Sequence, residues 1–262
     1  MKVRAVTRIA LLALFALSLL VSGAGAAVIS YDVIGVDAAG NPISARANFF
    51  TGSGLMTVDL QNLLSADAVK EIGQNVSGVQ FTLSSGQSTG ALNGTNGPNT
   101  LQSVLSDGSS SQLPPVSGNP TGWALQANVD NGLGKGIGLC VACAGGAAQY
   151  ALIGGFPGAT YANSDGSIRE PGSVSNPFFD NVLHFGLNVT GLQGTTGNPG
   201  DYVDSVFITF GTTQRTTLQA HCSILSCLPE RHRVPEPSSL LLLGAGLLGL
   251  AGFSLRKRLN TK

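Results

Sequence analysis

The chain has 262 residues, 14 Lys and Arg against 14 Asp and Glu, and only 11% charged positions, under half the ordinary share of about 25%. Zero net charge excludes the basic excess with which nucleic-acid binders grip phosphates, so no nucleic-acid partner is expected. A hydrophobic share of 43% excludes a charged disordered chain, and 36 glycines without a three-residue period exclude collagen.

The first segment, residues 1–26, reads as a secretory signal peptide. Lys2, Arg4 and Arg8 precede an apolar run from Ile9 to Val21, and Ala24 with Ala26 form an A-x-A cleavage site. The run of 13 residues falls short of the roughly 20 that a membrane span requires.

Residues 27–210 read as an all-β domain, a single jelly-roll-like β-sandwich. Met56, Val58 and Leu60 alternate with Thr57, Asp59 and Gln61, and Val79, Phe81 and Leu83 with Gln80, Thr82 and Ser84. Trp123, Leu125, Ala127 and Val129 alternate with polar or small neighbours, as do Leu183, Phe185, Leu187 and Val189. Period two places one face in a core and one in water. Further strands are expected at 28–36, 44–50, 150–153 and 203–210, and a short helix at 65–72 with Ser65 as its N-cap. Gly/Asn/Pro clusters such as Gly40-Asn41-Pro42 and Gly52-Ser53-Gly54 mark turns. The polar stretch 84–121 is either one extended loop or two weak edge strands.

Chemical candidates in this body are few. Gly86-Gln87-Ser88-Thr89-Gly90 matches the G-x-S-x-G nucleophile pattern, but a polar loop follows where the elbow needs a helix. The histidines are His184, His221 and His232; His184 sits on the polar side of a strand and reads as a cross-strand or solvated residue. Asp130, Asp165, Glu170, Asp180, Asp201 and Asp204 stand mostly at turns, where Asp is ordinary, which argues against a paired-carboxylate glycosidase. Asp201 with Asp204, or Asn163 with Asp165, are the oxygen pairs that Ca²⁺ would use, without a complete loop pattern; no cofactor is expected. Gly132 to Gly136 lacks the phosphate-loop spacing and reads as a flexible turn. Trp123 falls on the apolar side, away from a glycan. Thr212, Thr213, Thr216 and Thr217 are too few for a regular ice-binding array.

Four cysteines stand as Cys140-Val141-Ala142-Cys143 and, further on, Cys222 and Cys227. In an oxidising compartment they read as disulfides; zinc or a redox dithiol are the alternatives. Four cysteines allow three connectivities, and local pairing, Cys140 with Cys143 and Cys222 with Cys227, is preferred. Residues 211–233 read as a tether.

The tail, 234–262, has three parts: Val234-Pro235-Glu236-Pro237, an uncharged run from Leu240 to Leu255, and Arg256-Lys257-Arg258. The run of 16 residues would be about 24 Å long as a helix, close enough to the hydrocarbon thickness for a transmembrane span. The basic cluster belongs on the cytoplasmic side, so both charged ends point inward and the body lies outside. This tail resembles the PEP-CTERM sorting signal of Gram-negative bacteria. The resemblance implies an inner-membrane precursor, recognised and processed near Pro235–Pro237 by an exosortase, a cysteine protease-like membrane enzyme. It implies a mature protein at the cell surface or in the extracellular matrix, where bearers of the signal accompany exopolysaccharide and biofilm. The tail also occurs on some ice-binding proteins, so it gives an address and no activity. The expected function is therefore a non-enzymatic surface or matrix protein, with a carbohydrate-binding module as the alternative and a secreted hydrolase or ice-binding protein behind it. Between the two ends, residues 27–233 hold seven cations and thirteen acids, so the body is acidic although the chain is neutral.

Overall fold

The alternating segments form strands in the computed structural model, which describes residues 28–94, 98–141, 143, 149–169, 176–193, 202–212 and 215–222. Thirteen strands appear among them: β1 (Val28–Val36), β2 (Pro42–Gly52), β3 (Leu55–Asn62), β4 (Val76–Leu83), β5 (Ala91–Leu92), β6 (Asn99–Val104), β7 (Ser110–Val116), β8 (Ala124–Asp130), β9 (Lys135–Cys140), β10 (Phe178–Phe179), β11 (Val182–Asn188), β12 (Val203–Phe210) and β13 (Thr216–Cys222). The only α-helical segment among the described residues is the single turn Gly166–Arg169. All of them lie in the compact unit Ala26–Cys227.

The body is all-β, as the alternation predicts, but its strands are apportioned unlike a jelly roll of two comparable sheets. Ten lie in one antiparallel sheet, ordered β5-β11-β3-β2-β1-β13-β12-β4-β9-β8, and three in a small sheet, β10-β6-β7. The reason lies at the centre of the large sheet. β1 pairs with β2 over nine positions but with β13 over only two, Tyr31–Cys222 and Asp32–His221. A sheet held by so short a junction bends there, and its two halves turn their apolar faces toward each other. Phe49 of β2 meets Phe81 of β4 edge-on, with ring centroids 5.0 Å apart. Tyr31 packs on Phe49 and donates its hydroxyl to the Val203 carbonyl at 2.6 Å. At the far edges the curl nearly closes into a barrel: Asn128 of β8 donates its N–H to the Ser88 carbonyl, in the loop before β5, at 2.8 Å.

Phe49, Phe81, Phe185, Phe210, Val58, Leu60, Ile137 and Ile208 are fully buried in the core. Each such side chain contributes about 1.5–3 kcal/mol of transfer free energy. The small sheet joins through Leu152, which bridges Val76 and Phe179. Buried carboxamides tie the loops: Asn62 donates to the carbonyls of Gln74 and Leu152, both at 3.1 Å.

Several expectations are corrected. The helix at 65–72 is two 3-10 turns, Ala66–Ala68 and Ile72–Gln74, and Ser65 makes no side-chain cap. Gln74 organises this segment instead, accepting from the Lys70 N–H and donating to the carbonyls of Pro42 and Ala68. The stretch 84–121 is neither one loop nor two edge strands: β5 and β7 lie at sheet edges, but β6 is the central strand of the small sheet. Residues 150–153 form only isolated bridges at Leu152. In β8 the register shifts between Gln126 and Val129, with Asn128 at φ 56°, so Ala127 is exposed. Lys135–Cys140, whose first two residues read as part of a flexible turn, is β9. Thr216–Cys222, read as tether, is β13, paired with β12 from Val206–Ala220 to Phe210–Thr216. No helix among the described residues is long and apolar enough to cross a membrane; the expected span 240–255 lies outside them.

Candidate functional site

Ala24 and Ala26, the sorting-motif residues Val234, Pro235, Glu236 and Pro237, the basic Arg256, Lys257 and Arg258, and Cys227 lie outside the described residues, as do His232, Glu170, Asp201 and Thr213. Among the described residues the structure assembles two carboxylate-bearing polar sites and a covalent staple with both cysteines in view.

The first site is a histidine between carboxylates. β11 lies beside β3 in the register that sets His184 opposite Asp59, both on the outward side because Leu183, Phe185, Val58 and Leu60 point into the core. Nδ1 of His184 is 2.7 Å from Oδ1 of Asp59. That hydrogen bond raises the His184 pKa above the ordinary imidazole range, against partial burial, and the Asp59 and Asp180 charges add to it. Asp180, in the turn before β11, has its own pKa raised by burial, although it accepts from the Val182 N–H. Asn99 of β6 completes the arrangement from the edge: its Oδ1 accepts from the His184 N–H at 2.8 Å and its Nδ2 donates to the His184 carbonyl. A side chain thus supplies the pair of bonds that a neighbouring strand would make, where β5 has ended.

The second site joins the β1–β2 turn to the 3-10 segment. Asp37 is buried, and its Oδ1 accepts from the N–H groups of Ala39 and Asn41. Asn41 donates through Nδ2 to Glu71 Oε1 at 2.7 Å. The Glu71 pKa is raised, first by burial and then by the Asp37 charge. Asp37, Glu71, Gly73 and Thr212 line a cleft of about 240 Å³. Among the described residues no group of three or more His, Cys, Asp or Glu is placed to hold a metal ion.

The staple is the Cys140–Cys143 disulfide at the end of β9. Cys222 is also disulfide-bonded; Cys227, the partner that local pairing prefers, lies outside the described residues. The remaining candidates are engaged in local structure. Ser88 Oγ donates to Asn128 Oδ1 at 2.7 Å, at the closing seam of the sheet, and β5 follows where a nucleophile elbow would place a helix. Asp165 caps the single helical turn by accepting from the Ser167 N–H, and Asn163 donates to the Asp67 carbonyl. Asp130 accepts from the Gly132 N–H in the β8–β9 turn. Trp123 is buried edge-on against Phe185 and donates its indole N–H to the Tyr150 carbonyl at 2.8 Å, the core role its place in the alternation predicts. Sequence reading missed the Asp37–Glu71 site. Its only signal was an Asp before Gly40-Asn41, an ordinary turn pattern.

Comparison with known proteins identifies one segment. The PEP-CTERM protein-sorting motif matches residues 233–258, the segment that carries Val234 to Pro237, the apolar run and the basic cluster. Its presence implies an exported, membrane-anchored precursor that an exosortase processes. No curated protein and no solved structure matches the chain.

Proposed function

We propose that this chain is a non-enzymatic surface or matrix protein, whose ends direct transport and whose β-body is the delivered part. The sorting motif at 233–258 is the observation that carries this reading. The basic and apolar residues 2–21, ahead of Ala24 and Ala26, would start export. The uncharged run 240–255, stopped by Arg256-Lys257-Arg258, would hold the precursor in the inner membrane with its body outside. An exosortase-like protease would then act near Pro235–Pro237 and pass the body to the cell surface or an exopolysaccharide matrix.

The body suits that environment. Disulfides survive in an oxidising compartment, and Cys140, Cys143 and Cys222 are all bonded. Thirteen acids against seven cations in residues 27–233 give the body a net negative charge, which favours solubility.

The test replaces Pro235, Glu236 and Pro237 together by alanine in a host with an exosortase. The substituted chain is expected to stay full-length in the inner-membrane fraction while the unaltered chain leaves it. Equal release of both would overturn the proposal.

A further inference from the structure

Each half of the curled sheet has an outer face, and on one half it is formed by β13, β12, β4, β9 and β8. Val206, Ile208, Val79, Phe81, Ile137 and Leu139 fill the inner side, so the intervening residues face out. The registers align them into rows across all five strands. One row runs Gln219, Phe207, Gln80, Gly138, Gln126; the next runs Thr217, Thr209, Gly78, Cys140, Ala124. Five strands at about 4.8 Å spacing make a row about 19 Å long.

The chemistry of the rows is specific. Neither contains a carboxylate, a lysine or an arginine, on a body with nearly twice as many acids as cations. Three carboxamides stand in the first row, and each offers an acceptor oxygen beside donor hydrogens. That pattern matches adjacent hydroxyl groups, each of which both donates and accepts. Phe207 is half-buried, and both residues directly opposite it are glutamines, so neither registered neighbour is an apolar partner. Such a ring presents an apolar patch between hydrogen-bonding amides, the combination that suits a sugar ring with one face of C–H groups and a rim of hydroxyls.

Gly138 itself is buried: a Cβ there would lie 3.0 Å from Val129, 3.6 Å from Gln126 and 3.7 Å from Gln80, so Val129 packs over this glycine beside the two carboxamides. A cavity of about 90 Å³, lined by Gly78, Gln80, Gln126, Cys143, Thr209 and Arg215, opens between the rows. Gln126 is held there by donating to the Cys143 carbonyl at 3.1 Å, which ties the face to the Cys140–Cys143 staple. Arg215 is the charged group at one end.

We propose that this face binds a neutral polysaccharide along the row Gln219–Phe207–Gln80–Gly138–Gln126. The proposal rests on the reading of the body as a matrix protein and names the surface that would do the work. The absence of charge in the rows selects an uncharged polymer, since an anionic one would meet only Arg215 on an otherwise acidic body.

The experiment uses the full chain, solubilised in a sugar-free zwitterionic detergent, and affinity electrophoresis in gels containing laminarin, dextran or alginate. Retardation is expected in at least one neutral polymer and not in alginate. Phe207→Leu and Gln80→Ala should each weaken that retardation by about tenfold in affinity, whereas Asn48→Ala, on the outer face of the other half, should not. Phe207→Leu keeps an apolar group of similar size, and an unchanged near-ultraviolet spectrum shows that it folds. No retardation in either neutral polymer, retardation only in alginate, self-association without polymer binding, or equal binding by all variants would overturn the proposal. Binding in the gel does not depend on processing at Pro235–Pro237, so its failure is distinct from a failure of sorting.

Discussion

Nδ1 of His184 on β11 lies 2.7 Å from Oδ1 of Asp59 on the adjacent β3, and the two are directly opposed in register. A cross-strand pair of this kind stabilises the sheet only while the imidazole carries a proton. Its folded pKa is raised, so between the unfolded value near 6.5 and the folded value the native state binds more protons than the unfolded one. Stability therefore falls as pH rises through that window. With side-chain exposures of 38% and 21% the pair is worth no more than about 1 kcal/mol. Urea denaturation of the unaltered chain and Asp59→Asn should show a difference that is largest below pH 6.5 and shrinks above it. A difference that stays constant across the window would contradict the ion-pair account.

Gln74 makes a larger demand. It is fully buried, its Nε2 serves two carbonyls, and its Oε1 accepts from the N–H groups of Lys70 and Glu71. Gln74→Met keeps the volume but leaves these backbone groups without partners. The expected loss is about 3 kcal/mol, read as a lower urea midpoint with an unchanged slope. A loss below about 1 kcal/mol would mean that water or neighbouring groups replace the carboxamide.

The Cys140–Cys143 bridge closes a very short loop, with a sequence separation of 3. Loop-closure entropy then limits its contribution to about 2 kcal/mol. The double substitution Cys140→Ser with Cys143→Ser should lower the thermal midpoint by about 4–8 °C while preserving the far-ultraviolet spectrum. Complete unfolding at room temperature would show that the bridge holds more of the sheet than the end of β9.

The legible parts of this fold are those in which side chains advertise the pleat. Met56, Val58 and Leu60 alternate with polar residues, and β3 follows them. In β9 the outward positions 136 and 138 are glycines, which are neither polar nor apolar in pattern. Ile137 and Leu139 therefore look like isolated apolar residues in a loop. β13 did carry a signal, with Leu218 and Ala220 between Thr217, Gln219 and His221, but it follows the apparent last strand and borders the tail, so it reads as a tether. The bulge at Asn128 breaks an alternation that was real on paper, because an inserted residue reverses which side faces in. The His184 pairing was half legible: its polar side was clear, whereas Asp59 as partner depends on strand order. The outer rows were invisible for the same reason, since Gln219, Phe207, Gln80 and Gln126 become neighbours only once five strands are in register.

The central claim is that the β-body is delivered by processing at its C-terminal signal. The direct measurement is the mass of the C-terminal peptide from mature protein released by a host with an exosortase. The account predicts a terminus near Pro235–Pro237 and loss of the run 240–255 with Arg256-Lys257-Arg258. A mature surface protein that still ends at Lys262 would contradict it.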